Sequence, residues 1–495
     1  MTPLPQTLTF GPAKNGGRST LKTLSAATLL TVVLAACGGS GGGVTAPSPT
    51  PPPPSSAFPP SQQFEQQCAA NTGTLQFERQ WVRSYVDEAY LWYSEVPNLN
   101  PVTSTEMPQT FLLSLTRNGL PANKDRFTFS YGTAAWNDLI NSGVSAGYGT
   151  EWALLSRTPP RQLRVAYTNP NTPAATAGLA RGATVLKVNG VDINDNTTTG
   201  INTLNAGLFP SALGVTSTFE VMDLGATVAR TVSMTSASVT SRPVLDVRWG
   251  NIGGVIFGYI LFNDHLASAE TQLIDAVNQL KAAGAQEVIL DLRYNGGGYL
   301  YIASQLGYML STQALAGRVF EKLQYNNKRT ADNNKTPELF LNRSTTGAAL
   351  PQLGLGRVYV LTTGSTCSAS ESIMNGLRPF VSIIQIGSTT CGKPYGFTAK
   401  ENCGTSYFPI EFEGVNSAGQ GGYSNGFTPG GTFQGCSSSD DFDHALGDSA
   451  EKMLGTAISH RLTGACPTVA IGKESVSPSG AVLLRHPARE GKYLK

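Results

Sequence analysis

The sequence predicts a multidomain protein: an N-terminal helical segment, a β-rich domain, and an α/β core built on a largely parallel sheet. Three observations lead there. With 495 residues the chain exceeds what one hydrophobic core usually holds, so two or three domains plus linkers are expected. Residues 140–240 are short β-branched or alternating stretches punctuated by Gly and Pro, which is a strand pattern. From about Val244 strand-like apolar runs alternate with amphipathic helical ones, which implies crossover units, a parallel sheet, and chemistry at the carboxyl ends of its strands.

The first residues read as targeting. Lys14, Arg18 and Lys22 precede an apolar run at 24–36, which is short for a membrane span but suits a signal-peptide core, giving a leader over 1–36. The run ends Leu34-Ala35-Ala36-Cys37-Gly38, which resembles the lipobox of bacterial lipoproteins. That resemblance implies cleavage before Cys37 and a lipid on it. With Gly38 behind the cysteine it also implies an outer-membrane anchor in the cell envelope, facing the periplasm or the surface. The alternative is an ordinary secretory signal with a chance cysteine. Residues 37–63, Gly-rich and then Pro-rich, form a tether that cannot pack a core.

Composition narrows the partners. The formal net charge is +2 and no long basic run is present, so a nucleic-acid partner is not expected. Beyond Cys37, the cysteines are Cys68, Cys367, Cys391, Cys403, Cys436 and Cys466, an even set suited to disulfides in an oxidising compartment. Cys391 with Cys403 is the expected pair, since they are close in sequence and would pin the loop of Lys393. Neither a CxxC pair nor a His/Cys cluster occurs, so no metal and no cofactor is expected.

Residues 64–135 are predicted as an N-terminal helical domain. Trp81, Val82, Tyr85, Val86, Ala89 and Tyr90 fall on one helical face, Pro97 and Pro101 end it, and Lys124 to Phe127 make a polar turn into the next domain. In the β-rich unit, 140–240, the run NTPAATAGLARGATVLKVNGVDI at 171–193 resembles the PDZ domain. Pro173-Ala174-Ala175, Ala177-Gly178-Leu179, Arg181-Gly182 and Val188-Asn189-Gly190 carry the match. The resemblance implies peptide capture by strand addition, with a terminal carboxylate bound at Gly147, Tyr148 and Gly149.

The core is predicted over 243–466. Helices at 266–283 and 300–310 bracket a buried strand at 287–290 and the loop Gly296-Gly297-Gly298. A strand at 358–361 then runs through a Gly/Ser/Thr turn into a helix opening near Ser370, and a strand at 382–386 follows. Ser368 thus sits where a strand hands over to a helix, and Lys393 follows the next strand. A serine hydroxyl needs a base to become a nucleophile, and a lysine can be that base if burial leaves it neutral. The developing oxyanion needs backbone N–H donors, which a helix start and a glycine loop offer. Glu371, in the first helical turn, reads as a capping residue.

VILDLRYNGGG at 288–298, TCSASE at 366–371 and GKPYGF at 392–397 resemble the S41 family of serine peptidases, the carboxyl-terminal processing or tail-specific proteases. Together with the PDZ-like block the likeness spans roughly 64–466. It implies a serine endopeptidase working through an acyl-enzyme, with Ser368 as nucleophile and Lys393 as base. The oxyanion hole would be the N–H of Ala369 with that of Gly297 or Gly298. Many members carry a glutamine four residues after the lysine; this chain has Phe397, so Thr398 or a backbone carbonyl would have to orient the amine. The implied partner is a protein or peptide with a C-terminal or unstructured segment. Alternatives are Cys367 as nucleophile, a histidine base from His444 or His460, or a catalytically silent binding lipoprotein on the same scaffold. A helix is expected over 440–466, opened by Asp440, Asp441 and Asp443, and weak order beyond 467, where Arg485, Arg489, Lys492 and Lys495 cluster.

Overall fold

The computed structural model describes residues 57–122, 124–467, 482–484 and 492–494. The predicted leader, Cys37 and most of the tether lie outside them. Six strands form the central sheet. Val244–Ile252 pairs antiparallel with Val255–Phe262, after which Glu287–Asp291, Arg357–Thr362, Ser382–Gly387 and Gln434–Ser437 follow in parallel pairs. These strands are rich in Val, Ile and Leu because both faces are covered. Val288, Leu290, Val358 and Val360 pack with residues of the helices Ala269–Ala282, Leu300–Leu310 and Ala369–Leu377. Their neighbours Ile289, Tyr359 and Leu361 go to the other face, against helix Lys452–Thr463.

That last helix starts later than expected. Asp440 does not open it, because its carboxylate is drawn into a buried network: Arg293 Nη1 donates to it at 2.9 Å, Arg181 Nη2 at 2.7 Å, and Tyr294 Oη donates as well. Glu451 caps the helix instead. It accepts the Leu454 N–H at 2.9 Å and receives both terminal nitrogens of Arg293, at 2.8 and 2.9 Å. Arg293, fully buried, also pairs with Asp291 at 2.8 Å. The network therefore pins the loop leaving strand Glu287–Asp291.

Residues 144–240 form a second unit. Its antiparallel sheet runs Thr150–Ser156, Gln162–Thr168, Thr184–Val188, Thr216–Met222, Arg230–Thr235, and helix Thr198–Leu208 contributes Leu204 and Leu208 to a core with Trp152, Leu163 and Phe219. Val144–Gly147 pairs with Ala237–Thr240, so the unit enters and leaves the chain at one place. Arg181 joins it to the core, donating to Tyr294 Oη at 2.7 Å and to the His444 carbonyl at 3.0 Å.

The N-terminal helices do not enclose a core of their own. Trp81 and Val86 of Gln76–Ala89 and Phe111 and Leu115 of Pro108–Leu115 pack with Phe397, Tyr407, Phe408 and Ile410. Even the end of the predicted tether is seated, with the Ser61 N–H and hydroxyl both donating to Glu88. The disulfides follow this packing and correct the expected Cys391–Cys403 pair. Cys403 turns a hairpin between Lys400–Asn402 and Thr405–Phe408 and bonds to Cys68, whereas Cys391 bonds to Cys367 and Cys436 to Cys466. Nearness in sequence loses to which segments the core brings together.

Most of the tail expected to be weakly ordered, beyond 467, lies outside the described residues. Its described parts are strands: Val482–Leu484 adds antiparallel to Thr150–Ser156, and Lys492–Leu494 adds parallel to Gly297–Tyr299. An open strand edge takes an extended segment largely through its backbone, which composition does not reveal.

Removing Arg293 would leave three buried carboxylates facing one another. Arg293→Ala is expected to lower stability by about 3–5 kcal/mol, the cost of orphaning buried charge, read as a shifted urea midpoint; a loss below about 1 kcal/mol would show the network to be slack.

Candidate active site

The turn after strand Arg357–Thr362 is bound to the loop after strand Glu287–Asp291. Thr366 Oγ1 donates to the Leu292 carbonyl at 2.8 Å and Thr363 Oγ1 to that of Arg293. The Asn295 carbonyl takes the Cys367 N–H and the Ser370 hydroxyl, each at 3.0 Å. Between them stands Ser368 at φ +61°, a left-handed conformation that costs a non-glycine residue free energy and that concentrates at functional sites. Its side chain is fully buried, and its hydroxyl makes no hydrogen bond with the described residues. A buried polar group without a partner is uncommon and calls for a chemical reason. Helix Ala369–Leu377 opens at the next residue, so the Ala369 N–H has no acceptor within the helix.

Glu371 does more than cap this helix. One carboxylate oxygen accepts both the Ser368 N–H and the Lys393 N–H, each at 2.9 Å; the other accepts the Gly392 N–H at 2.9 Å and the Thr390 hydroxyl at 2.5 Å. The serine turn and the lysine loop therefore run side by side on one acid. The disulfide between Cys367 and Cys391 adds a covalent staple between the same two loops. Burial pushes the Glu371 carboxyl up, against the pull of these donors. Cys367, Glu371 and Cys391 place three donor atoms within 4.8 Å of one another, yet the sulfurs are spent on each other and the carboxylate on N–H groups. The cluster suits a staple better than a metal centre, and Cys367 offers no thiolate.

Lys393 is completely buried. Its Nζ lies 4.2 Å from the ring centroid of Phe397 and 5.1 Å from that of Phe127. Burial lowers the amine from its usual 10.5 to about 7, outweighing the charges of Asp125 and Glu371, which act the other way. Desolvation wins because apolar ring surface cannot replace the water an ammonium needs. Phe397, where a glutamine was looked for, thus acts as the wall that keeps the amine dry. Asp125 and Phe127 come from the turn read as a polar link between domains. Asp125 is held by Tyr90 Oη at 2.7 Å and by the Phe127 N–H at 2.8 Å, and Arg126 donates to the Cys391 carbonyl at 3.1 Å.

The glycine loop is sorted by its hydrogen bonds. The Gly297 N–H donates to Asn295 Oδ1 at 3.0 Å, and the Tyr299 N–H to the His265 carbonyl at 2.9 Å. Successive N–H groups of a strand face opposite edges, so the Gly298 N–H faces away from His265. A side chain at Gly298 would strike the His265 carbonyl oxygen at 2.4 Å, which explains the glycine. His265 Nδ1 meets Asn295 Oδ1 at 2.9 Å. Spacing gave no hint of His265, whereas Asn295 stood inside the NGGG motif. His444 pairs with Asp441 at 2.6 Å, and His460 abuts Tyr359 on the opposite face of the sheet.

Gly147, Tyr148 and Gly149 lie away from this cluster, on the second unit. Tyr148 turns its ring into that unit's core. Gly149, at φ +82°, has Thr172 where a Cβ would stand, 2.4 Å away. The three line a cavity of about 640 Å³ with Trp152, Leu208 and Phe209.

Comparison with known proteins finds similarity in two regions of the chain. Residues 256–401 match the model of peptidase family S41, and residues 78–131 that of the peptidase S41 N-terminal domain. A carboxyl-terminal-processing protease of a Picosynechococcus species is 29% identical over 230 residues, 45% of this chain and 49% of that protein. One from a Synechocystis species is 25% identical over 255 residues, 52% and 54% of the two chains. The chain thus spans about half the length of the curated relatives it matches. A solved structure from Bacteroides fragilis, described as an S41 protease, superposes with a TM-score of 0.62 at 23% identity, covering 78% of this chain and 97% of that one; it shares the fold.

Deleting the shared acid tests the clamp. Glu371→Ala strands three buried N–H donors, and a loss of at least about 3 kcal/mol in equilibrium unfolding is expected, at 1–3 kcal/mol for each unsatisfied group; an unchanged midpoint would show that the two loops are held by the disulfide alone.

Proposed function

The chain carries a peptidase family S41 domain, and from that premise we propose that it is a serine endopeptidase whose nucleophile is Ser368 and whose general base is Lys393. The observation that carries this reading is the buried lysine, lowered to about 7, clamped through one carboxylate oxygen to the turn of a buried serine whose hydroxyl has no hydrogen-bond partner among the described residues. In this reading the neutral amine of Lys393 takes the proton from Ser368 Oγ as that oxygen attacks the peptide carbonyl. The oxyanion forms toward the N–H groups of Ala369 and Gly298, since Gly297 spends its own on Asn295. Lys393 then delivers the proton to the departing amine, and water hydrolyses the acyl-enzyme with Lys393 again as base. No step calls on a metal or an organic cofactor. Residues 140–240, PDZ-like in their motif, capture the extended or C-terminal segment of a protein substrate at the edge beside Gly147 to Gly149. The lipobox reading adds an outer-membrane anchor at Cys37.

Three assays on the unlipidated chain with an unfolded protein test this. Ser368→Ala and Lys393→Met should each lower kcat by at least about a hundredfold, the scale of nucleophile and general-base removal. Cleavage that survives Ser368→Ala would reject the nucleophile; tail binding with no Ser368-dependent cleavage would leave a silent binding protein. Because the base must be neutral, kcat/KM should rise tenfold per pH unit below about 7 and level off above it. Phe397→Gln replaces apolar wall by a polar amide, so the lysine regains its proton more readily. The rising limb should move to higher pH by about one unit; an unmoved limb would show that Phe397 does not set the amine's environment.

A further inference from the structure

The strand edge that the proposed function assigns to substrate capture, and the edge that carries the Gly298 N–H, are both already taken by this chain. Val482–Leu484 lies antiparallel on Thr150–Ser156, with Val482 opposite Leu154 and Leu484 opposite Trp152, so it runs toward the turn at Gly147 to Gly149. Without it, Thr150–Ser156 would be the outer strand of its sheet. Leu483 is 3% exposed and packs with Ala153, Ala166 and Tyr167 of the second unit and with Tyr294 and Phe442 of the core. Leu484 joins Tyr148, Trp152 and Leu208 around the cavity. The contact is therefore a seated apolar anchor with backbone pairing, at the seam where the two units meet.

The second strand lies on the catalytic side. Lys492–Leu494 pairs parallel with Gly297–Tyr299, placing Tyr493 opposite Gly298. It also lies against Tyr395–Gly396, just after Lys393, and against the helix that begins at Ala369. The edge of the glycine strand that carries the Gly298 N–H is thus the edge this segment covers. An extended peptide bound for cleavage would need that edge.

We propose that the segment containing 482–484 and 492–494 is an intramolecular peptide ligand, which fills the capture edge and the catalytic edge together and holds the resting chain self-occupied. The inference rests on the peptidase reading for its consequence, but not for its test, since occupancy is a binding property. A tethered ligand competes at an effective concentration on the order of millimolar. An incoming tail must displace it, so substrates that offer both a good strand for Thr150–Ser156 and an apolar residue for the Leu483 seat are favoured over short peptides.

The test uses Ser368→Ala protein, so that nothing is cut, in three forms: full chain, full chain with Leu483→Asp, and chain ending at Gly480. A fluorescent synthetic peptide of residues 481–495 is titrated into each and followed by anisotropy, with thermal unfolding to show that each form is folded. The peptide should bind the shortened chain and the Leu483→Asp chain at least about tenfold more tightly than the full chain, because the tethered competitor is gone or unseated. Equal binding to all three, or binding to none, overturns self-occupancy. With Ser368 restored, the shortened chain should cleave a short peptide with a KM at least about tenfold lower than the full chain. If it cleaves nothing while the binding difference holds, the peptidase reading fails and self-occupancy stands.

Discussion

The Glu371 carboxylate accepts N–H groups from Ser368, Gly392 and Lys393 and the hydroxyl of Thr390, and the geometry of the site follows from this one buried acceptor. Two loops from successive parallel strands would otherwise be free to drift, each being surface turn by origin. Held by the same acid, and stapled by Cys367 with Cys391, they keep a serine in a left-handed turn next to a lysine. Charge-assisted bonds to backbone N–H are short and strong inside a protein, and the burial that raises the acid's pKa is the price of having such a clamp there.

Desolvation does the complementary work. Phe127 and Phe397 lie over the lysine amine, and both belong to the shell of N-terminal helices and the strands after Lys393. The N-terminal segment is thus a wall of the site, and its apolar residues share one cluster with Phe397, Tyr407 and Phe408. Arg293 and Arg181 hold the remaining wall. They fix the loop that leads to Gly297 and Gly298 and tie the second unit to the core through Asp440 and Tyr294.

Much of this was readable from local pattern. Strand and helix alternation, the serine at a strand-to-helix turn, the glycine loop and the lysine loop are each encoded within a few residues, and the core elements around them formed where periodicity placed them, the last helix, which starts at Lys452, excepted. What escaped the sequence is long-range. The Cys68–Cys403 link, the arrival of Asp125 and Phe127 beside Lys393, and the role of His265 behind Gly298 depend on which segments a shared core brings together. The same holds for the strands at 482–484 and 492–494, whose pairing is made by backbone and leaves little trace in composition. Glu371 was legible as a cap because capping is local; its grip on Gly392 and Lys393 was not, since these lie a crossover away. Phe397 looked like a missing glutamine until its ring was seen against the amine.

The central claim is that Lys393 is a neutral base near physiological pH, and it can be measured without any substrate. Lysine labelled with carbon-13 at Cε, with Lys393→Arg identifying the resonance, allows the amine to be titrated directly by NMR. The account predicts a midpoint near 7. A midpoint near the ordinary lysine value of about 10.4 would contradict it, because an ammonium cannot take the serine proton.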